Sequence, residues 1–112
     1  MMIELTIREH LARILPVPVY LERPSTAPLR YVLLEKTGSG KRNHLPSSVF
    51  AFQSYAETLY QAAVLNELVK GAVEQLETLP EIGSVRLNSD YNFTDTTTKQ
   101  HRYQAVFDIS HY

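Results

Sequence analysis

The order of segments in this sequence predicts an α+β domain, a mostly antiparallel β-sheet with helices packed on one face, arranged α-(β)-β-β-α-β-β. Three features carry that expectation. The chain opens on a short stretch with apolar residues at helical spacing, a much longer stretch of the same kind occupies residues 58 to 79, and aromatic and β-branched runs bounded by turn residues lie between and after them. With 112 residues the chain has the length of a single domain, residues 1 to 112, which buries about two thirds of its unfolded surface in one core.

Ile3, Ile7, Leu11, Ile14 and Leu15 form the apolar stripe of the first helix, with Glu4, Arg8, Glu9 and Arg13 between them. Pro16 and Pro18 end it, since proline restricts the residue before it and lacks the next backbone donor. A short strand is expected at "VYLE", and a longer one at "RYVLLEKT", Arg30 to Thr37. "GSGKRNHLP" then reads as a projecting loop, with Gly38 and Gly40 supplying positive φ angles, before "SSVFAFQSYA" returns as the second strand of a hairpin.

Thr58, with Gln61 three residues on, fits an N-cap with a capping-box partner. The helix it opens should run about 20 residues, or about 30 Å, to near Leu79. Leu65, Leu68, Val69, Ala72, Leu76 and Leu79 form its inner stripe, and Glu67, Lys70, Glu74 and Glu77 its wet side. Pro80 and Gly83 close it and lead into "SVRLNSDYNF". In the last run Tyr103, Ala105, Phe107 and Ile109 alternate with Arg102, Gln104, Asp108 and Ser110, with Val106 the one apolar residue on the polar side, which is a strand with one buried face.

Composition excludes several functions. Eleven basic against twelve acidic residues give a net charge of −1, too little field to gather nucleic acid or anionic membrane. The absence of cysteine removes disulfides, thiolate metal sites and thiol nucleophiles together. "MMIELTIREHLARILPVPV" has charges throughout and no uninterrupted apolar run, so the expectation is a chain that stays in the cytoplasm where it is made.

The most polar segment is "NSDYNFTDTTTKQHRY", Asn88 to Tyr103. Asp90, Asn92 and Asp95 hint at a calcium loop, but the sixth and twelfth positions hold Asp95 and His101 where that loop needs glycine and a bidentate glutamate. Turn chemistry accounts for the same residues, with Asn and Asp satisfying backbone donors and threonines suiting an extended edge. "TGSGKR" fails as a phosphate loop: Glu35 stands where the first glycine belongs, Arg42 follows Lys41 in place of Ser or Thr, and a strand rather than a helix comes next. His10, His44, His101 and His111 fall into no metal-ligand spacing. Phe93, alone in the polar hairpin, either folds back on its own domain or enters a partner. The two loops, residues 38 to 44 and 90 to 98, are thus the candidate contact elements, and Lys41, Arg42, Asn92, Phe93, Thr94 and Asp95 the candidate contact residues.

"FQSYA", "YQAAVLNELVKGAV" and "SVRLNSDYNFTDTTTKQHRYQAVFDISHY" resemble the small tail terminator, or tail completion, proteins of long-tailed phages and of prophages in Gram-positive bacteria. The resemblance spans nearly the whole chain, is strongest from Ser54 onward, and rests on texture and element order. It implies an α+β subunit of a ring, usually hexameric, that sits on the head-proximal end of the tail tube, stops tube growth and meets the head connector. It implies no catalytic residue and no cofactor. The partners it implies are further copies of the chain, the tube protein and the connector proteins, all in the virion at the head–tail joint. Two alternatives stand beside it: a head completion subunit docked on the portal, and a small enzyme using His44, His101 and Asp95.

If no metal or nucleotide is bound, the thermal unfolding midpoint is indifferent to chelator, calcium, magnesium or ATP. A rise of several degrees with any one of them at modest concentration reveals a specific site, because selective binding to the native state stabilises it.

Overall fold

The computed structural model describes residues 3–42, 45–98 and 100–112, except the side chains of Lys41 and Arg42. Helix α1 (Ile3–Ile14) is followed by β1 (Val19–Tyr20), β2 (Tyr31–Arg42), β3 (Leu45–Ala56), α2 (Leu59–Glu74) with a 3-10 turn (Gln75–Thr78), β4 (Ile82–Asn92) and β5 (His101–His111). One sheet holds all five strands in the order β1-β2-β3-β5-β4. Every pairing is antiparallel except the two-residue β1, which runs parallel to β2. The α+β expectation holds, and the sheet is mixed because of β1 alone.

Both helices cover the same face, α2 over β3 and β5, α1 beside β1 and β2. Strand alternation turns Phe50, Phe52, Ala105, Phe107 and Ile109 towards them, all essentially inaccessible. Phe52 meets Phe107 edge-on at 5.8 Å between ring centres. The small residues Ala62 and Ala72 on α2 let that helix approach the rings closely. Its start matches the cap read from sequence, as the Thr58 hydroxyl accepts from the Gln61 N–H at 3.1 Å. Helical conformation reaches Thr78, the last turn tightened to 3-10.

Four expectations are corrected. On α1 the buried set is Ile3, Ile7, His10 and Leu11, while Ile14 is 42% exposed at the helix end. His10 takes the inner position, with Nε2 3.1 Å from the Ala72 carbonyl. On α2, Leu68 is 49% exposed, and Ala62, Asn66 and Val73 lie inward in its place. The Asn66 amide nitrogen donates to Asp90 of β4 at 3.3 Å, while its side-chain oxygen is buried with no hydrogen-bond partner among the described residues.

The third correction concerns the glycine segment. Gly38 and Gly40 stand in the β2 ladder opposite Val49 and Ser47, and neither has a positive φ. The supposed projecting loop is therefore mostly strand, with a bulge between Lys36 and Gly38. Pro46 is tolerated in β3 because β5 pairs only from Ser47 onward. The glycine most closely packed is Gly83, where a Cβ would stand 3.1 Å from the side chains of both Leu45 and Ser110, which would have to give way. Fourth, Gln104 and Ser110, read as the wet side of β5, are buried.

The rotation of α1 is open to test by urea unfolding. Leu11→Ala, at a fully buried position, should cost about 2–5 kcal/mol. Ile14→Ala should cost about 0.5 kcal/mol or less. Equal losses at the two positions contradict the packing described.

Candidate interaction surface

The polar hairpin between β4 and β5 is built by short-range side-chain to backbone bonds. The Asn92 carbonyl oxygen accepts from the Thr94 N–H at 3.0 Å and the Thr94 hydroxyl at 2.6 Å. The Asp95 carboxylate accepts from the N–H groups of Thr97 at 2.9 Å and Thr98 at 3.4 Å. Asp95 also pairs through its backbone with Gln100. The donors on Thr97 first, then Thr98, hold the Asp95 carboxyl below its ordinary value. The Asn92 and Asp95 oxygens are thus committed to shaping their own turn.

Phe93 folds back and still reaches solvent. Its ring lies edge-on to Tyr91 at 5.8 Å and under the Arg102 guanidinium at 4.4 Å, yet the residue is 38% exposed. Arg102 also donates through Nε to the Phe93 carbonyl at 2.6 Å and through a terminal nitrogen to the Tyr55 hydroxyl at 3.0 Å. It therefore pins the hairpin to the body of the sheet.

That sheet face carries no helix, and its burial comes from a polar ladder instead. The Tyr55 hydroxyl donates to the Gln53 carbonyl oxygen at 3.0 Å, the Gln53 amide to the Gln104 oxygen at 2.9 Å, and the Gln104 amide to the Tyr91 hydroxyl at 2.6 Å. The Tyr31 and Tyr55 rings stack at 4.4 Å, and Arg23 reaches over Tyr55 and donates to Gln100 at 2.6 Å. Tyr31 and then Tyr55 hold the Arg23 guanidinium above its ordinary value. None of this network was evident from sequence. Its only trace there is the cross-strand pair of glutamines, which becomes visible once the β3–β5 register places Gln53 opposite Gln104.

A second surface lies on α2, where Tyr60, Val64 and Leu68 form an exposed apolar row. Val64 and Leu68 border a small depression with Pro16, Val17 and Arg30. Leu87 and Tyr91 are exposed along β4.

Among the sequence-derived contact candidates, Asn92, Phe93, Thr94 and Asp95 are brought together by the hairpin. Lys41 and Arg42 lie at the far end of β2, paired through their backbones with Pro46 and Leu45; their side chains are outside the described residues, as is His44. Of the residues named for the enzyme alternative, His101 lines a cleft of about 440 Å³ with Leu29, Glu57 and Gln100, and Asp95 is not part of its wall. Among the described residues no three His, Asp or Glu side chains converge on a point that could hold a metal. No helix among them is long and apolar enough to cross a membrane.

No family model and no curated protein sequence matches this chain. Solved structures do. One is a chain from the structure described as "Virion of native gene transfer agent (GTA) particle", with a TM-score of 0.69 and 15% sequence identity over 94% of this chain and 90% of that one. At that identity the likeness is one of fold, and it extends over nearly all of the chain.

The depressed Asp95 value has a definite pH consequence. Because the folded-state value lies below the unfolded one, the stabilisation is complete above the ordinary carboxylate range and is lost as pH falls through the depressed value. In an NMR titration the Thr97 and Thr98 amide resonances should move together with a midpoint below that of an unperturbed aspartate, and Asp95→Asn should abolish the transition. A midpoint at or above the ordinary value contradicts the capped turn.

Proposed function

We propose that this chain is a structural protein of a phage or prophage virion, a tail terminator whose copies, most simply six, close as a ring on the head-proximal end of the tail tube. The ring stops tube polymerisation and offers the joining surface to the head connector. It is made and assembled in the host bacterial cytoplasm. The observation that carries this reading is the fold shared, over nearly the full length of both chains, with a component of a gene transfer agent virion. The resemblance of residues Ser54 to Tyr112 to tail terminators narrows the role within the virion.

The surfaces support an assembly part. A closed ring of identical subunits joins two different patches head to tail, each contact burying on the order of 800 Å² per partner. Two separate groups of exposed hydrophobic residues are present, one on α2 beside Pro16 and Val17, the other formed by Tyr91 and Phe93 on the helix-free face of the sheet. The hairpin that suggested a metal site spends its oxygens on its own backbone, which suits a contact element. Asn92, Phe93, Thr94 and Asp95 of this hairpin, with Lys41 and Arg42 at the end of β2, are the proposed contact residues towards neighbouring copies, the tube or the connector.

Removal of the protein from its phage is the direct test. Heads should be intact, and tails should be of uncontrolled length and fail to join them. Tails of normal length beside heads that leak DNA would replace this reading with head completion at the portal.

A further inference from the structure

The sheet has two free edges on opposite sides. On one, β4 is outermost along its whole length, with the Val85 N–H donating to the Glu77 carboxylate at 3.4 Å. On the other, β1 covers β2 only at Val32 and Leu33, so the outer edge of β2 from Gly38 to Arg42 has no strand beside it. Unpaired strand edges present rows of backbone donors and acceptors that readily accept another strand. The directions of the four long strands alternate across the sheet, β2 opposite to β3, β3 to β5 and β5 to β4. Setting the β4 edge of one copy against the β2 edge of the next therefore continues the alternation unbroken, with an antiparallel pair at the seam.

We infer that neighbouring copies join through this seam, β4 of one subunit adding to the Gly38–Arg42 edge of β2 in the next, so that the ring carries a continuous sheet. The inference rests on the ring assembly proposed above and specifies its contact. The registers within one copy show what an unstaggered seam would bring together. Gly38, Val49, Asp108 and Arg86 form one row across the sheet, so in a sheet continued without stagger Arg86 of one copy arrives beside Gly38 of the next. Closure shifts this register by some residues, since a closed sheet must be sheared. Arg86 is exposed on the helix-free face and forms no ion pair among the described residues. Glu35, exposed at the β2 edge on the same face, is the next residue along from Gly38 on that side of the bulge. An arginine side chain spans such a diagonal, so at small stagger these two charges, neither in an ion pair among the described residues, are complementary across the seam. Gly38 and Gly40 have open or ordinary space where a Cβ would stand and no backbone need for glycine, and they leave the edge free of side chains that would bar an incoming strand.

The chain has no cysteine, so introduced thiols report unambiguously. Gly38→Cys and Asn88→Cys variants, each alone and mixed, and the double variant, are treated with a short bis-maleimide over a concentration series, with native mass measured in parallel. The seam expects dimers only in the mixture and a covalent ladder up to the ring size in the double variant. Glu35→Arg or Arg86→Glu, each added to the double variant, should lower the yield several-fold, and both together should recover it. Cross-linking of either single variant with itself indicates twofold edge pairing and overturns the seam. A ring by mass with no cross-link overturns the seam and leaves the ring. A persistent monomer with no cross-link overturns both.

Discussion

The pairing of β3 with β5 is the contact on which the rest of the molecule depends. It brings Phe50 opposite Phe107 and Phe52 opposite Ala105, residues more than fifty positions apart in the chain. The alanine leaves room for the Phe52 ring to meet Phe107 edge-on, and the resulting aromatic floor is what α2 packs upon. The other long strands are each attached to one member of this pair, β2 to β3 and β4 to β5, and β1 is added outside β2. Loss of that central register would move the hydrophobic set of both strands to the wrong face.

The two faces of the sheet are closed by different physics. On one side the helices bury an apolar layer. On the other, Gln53, Gln104, Tyr55 and Tyr91 satisfy one another in a chain of hydrogen bonds, and the arginines at positions 23 and 102 lie over the aromatic rings. Buried amides are costly unless paired, and here each has its partner, which lets residues on a helix-free face be almost as inaccessible as the core. Arg102 extends this closure to the hairpin by holding the Phe93 carbonyl, the Phe93 ring and the Tyr55 hydroxyl at once.

Polar residues in this chain thus divide by task. Those in the turn hold backbone, those on the helix-free face hold each other, and the Lys70 ammonium joins Glu67 and Asp90 to tie α2 to β4. Among the exposed features are an apolar row on α2, part of Phe93, and two outer strand edges.

The sequence by itself determined the element types, their order and most of the core, because period and punctuation are local: Thr58 announced its cap, Pro16 its helix end, and Ala105, Phe107 and Ile109 their buried face. It also determined that the residues from Asn92 to Asp95 shape a turn, since the bonds concerned span two or three residues. Where two neighbours on a helix were both plausible, period alone could not choose. Only packing set Leu68 outward and Asn66 inward, through a partner on β4, and His10 inward through the Ala72 carbonyl. Gly38 and Gly40 looked like a turn because glycine permits one, but permission is not requirement, and the ladder with β3 drew them into a strand. The buried glutamines and the two free edges belong wholly to the tertiary structure. They exist only after strands distant in sequence are set side by side, and no local pattern encodes which strand ends up beside which.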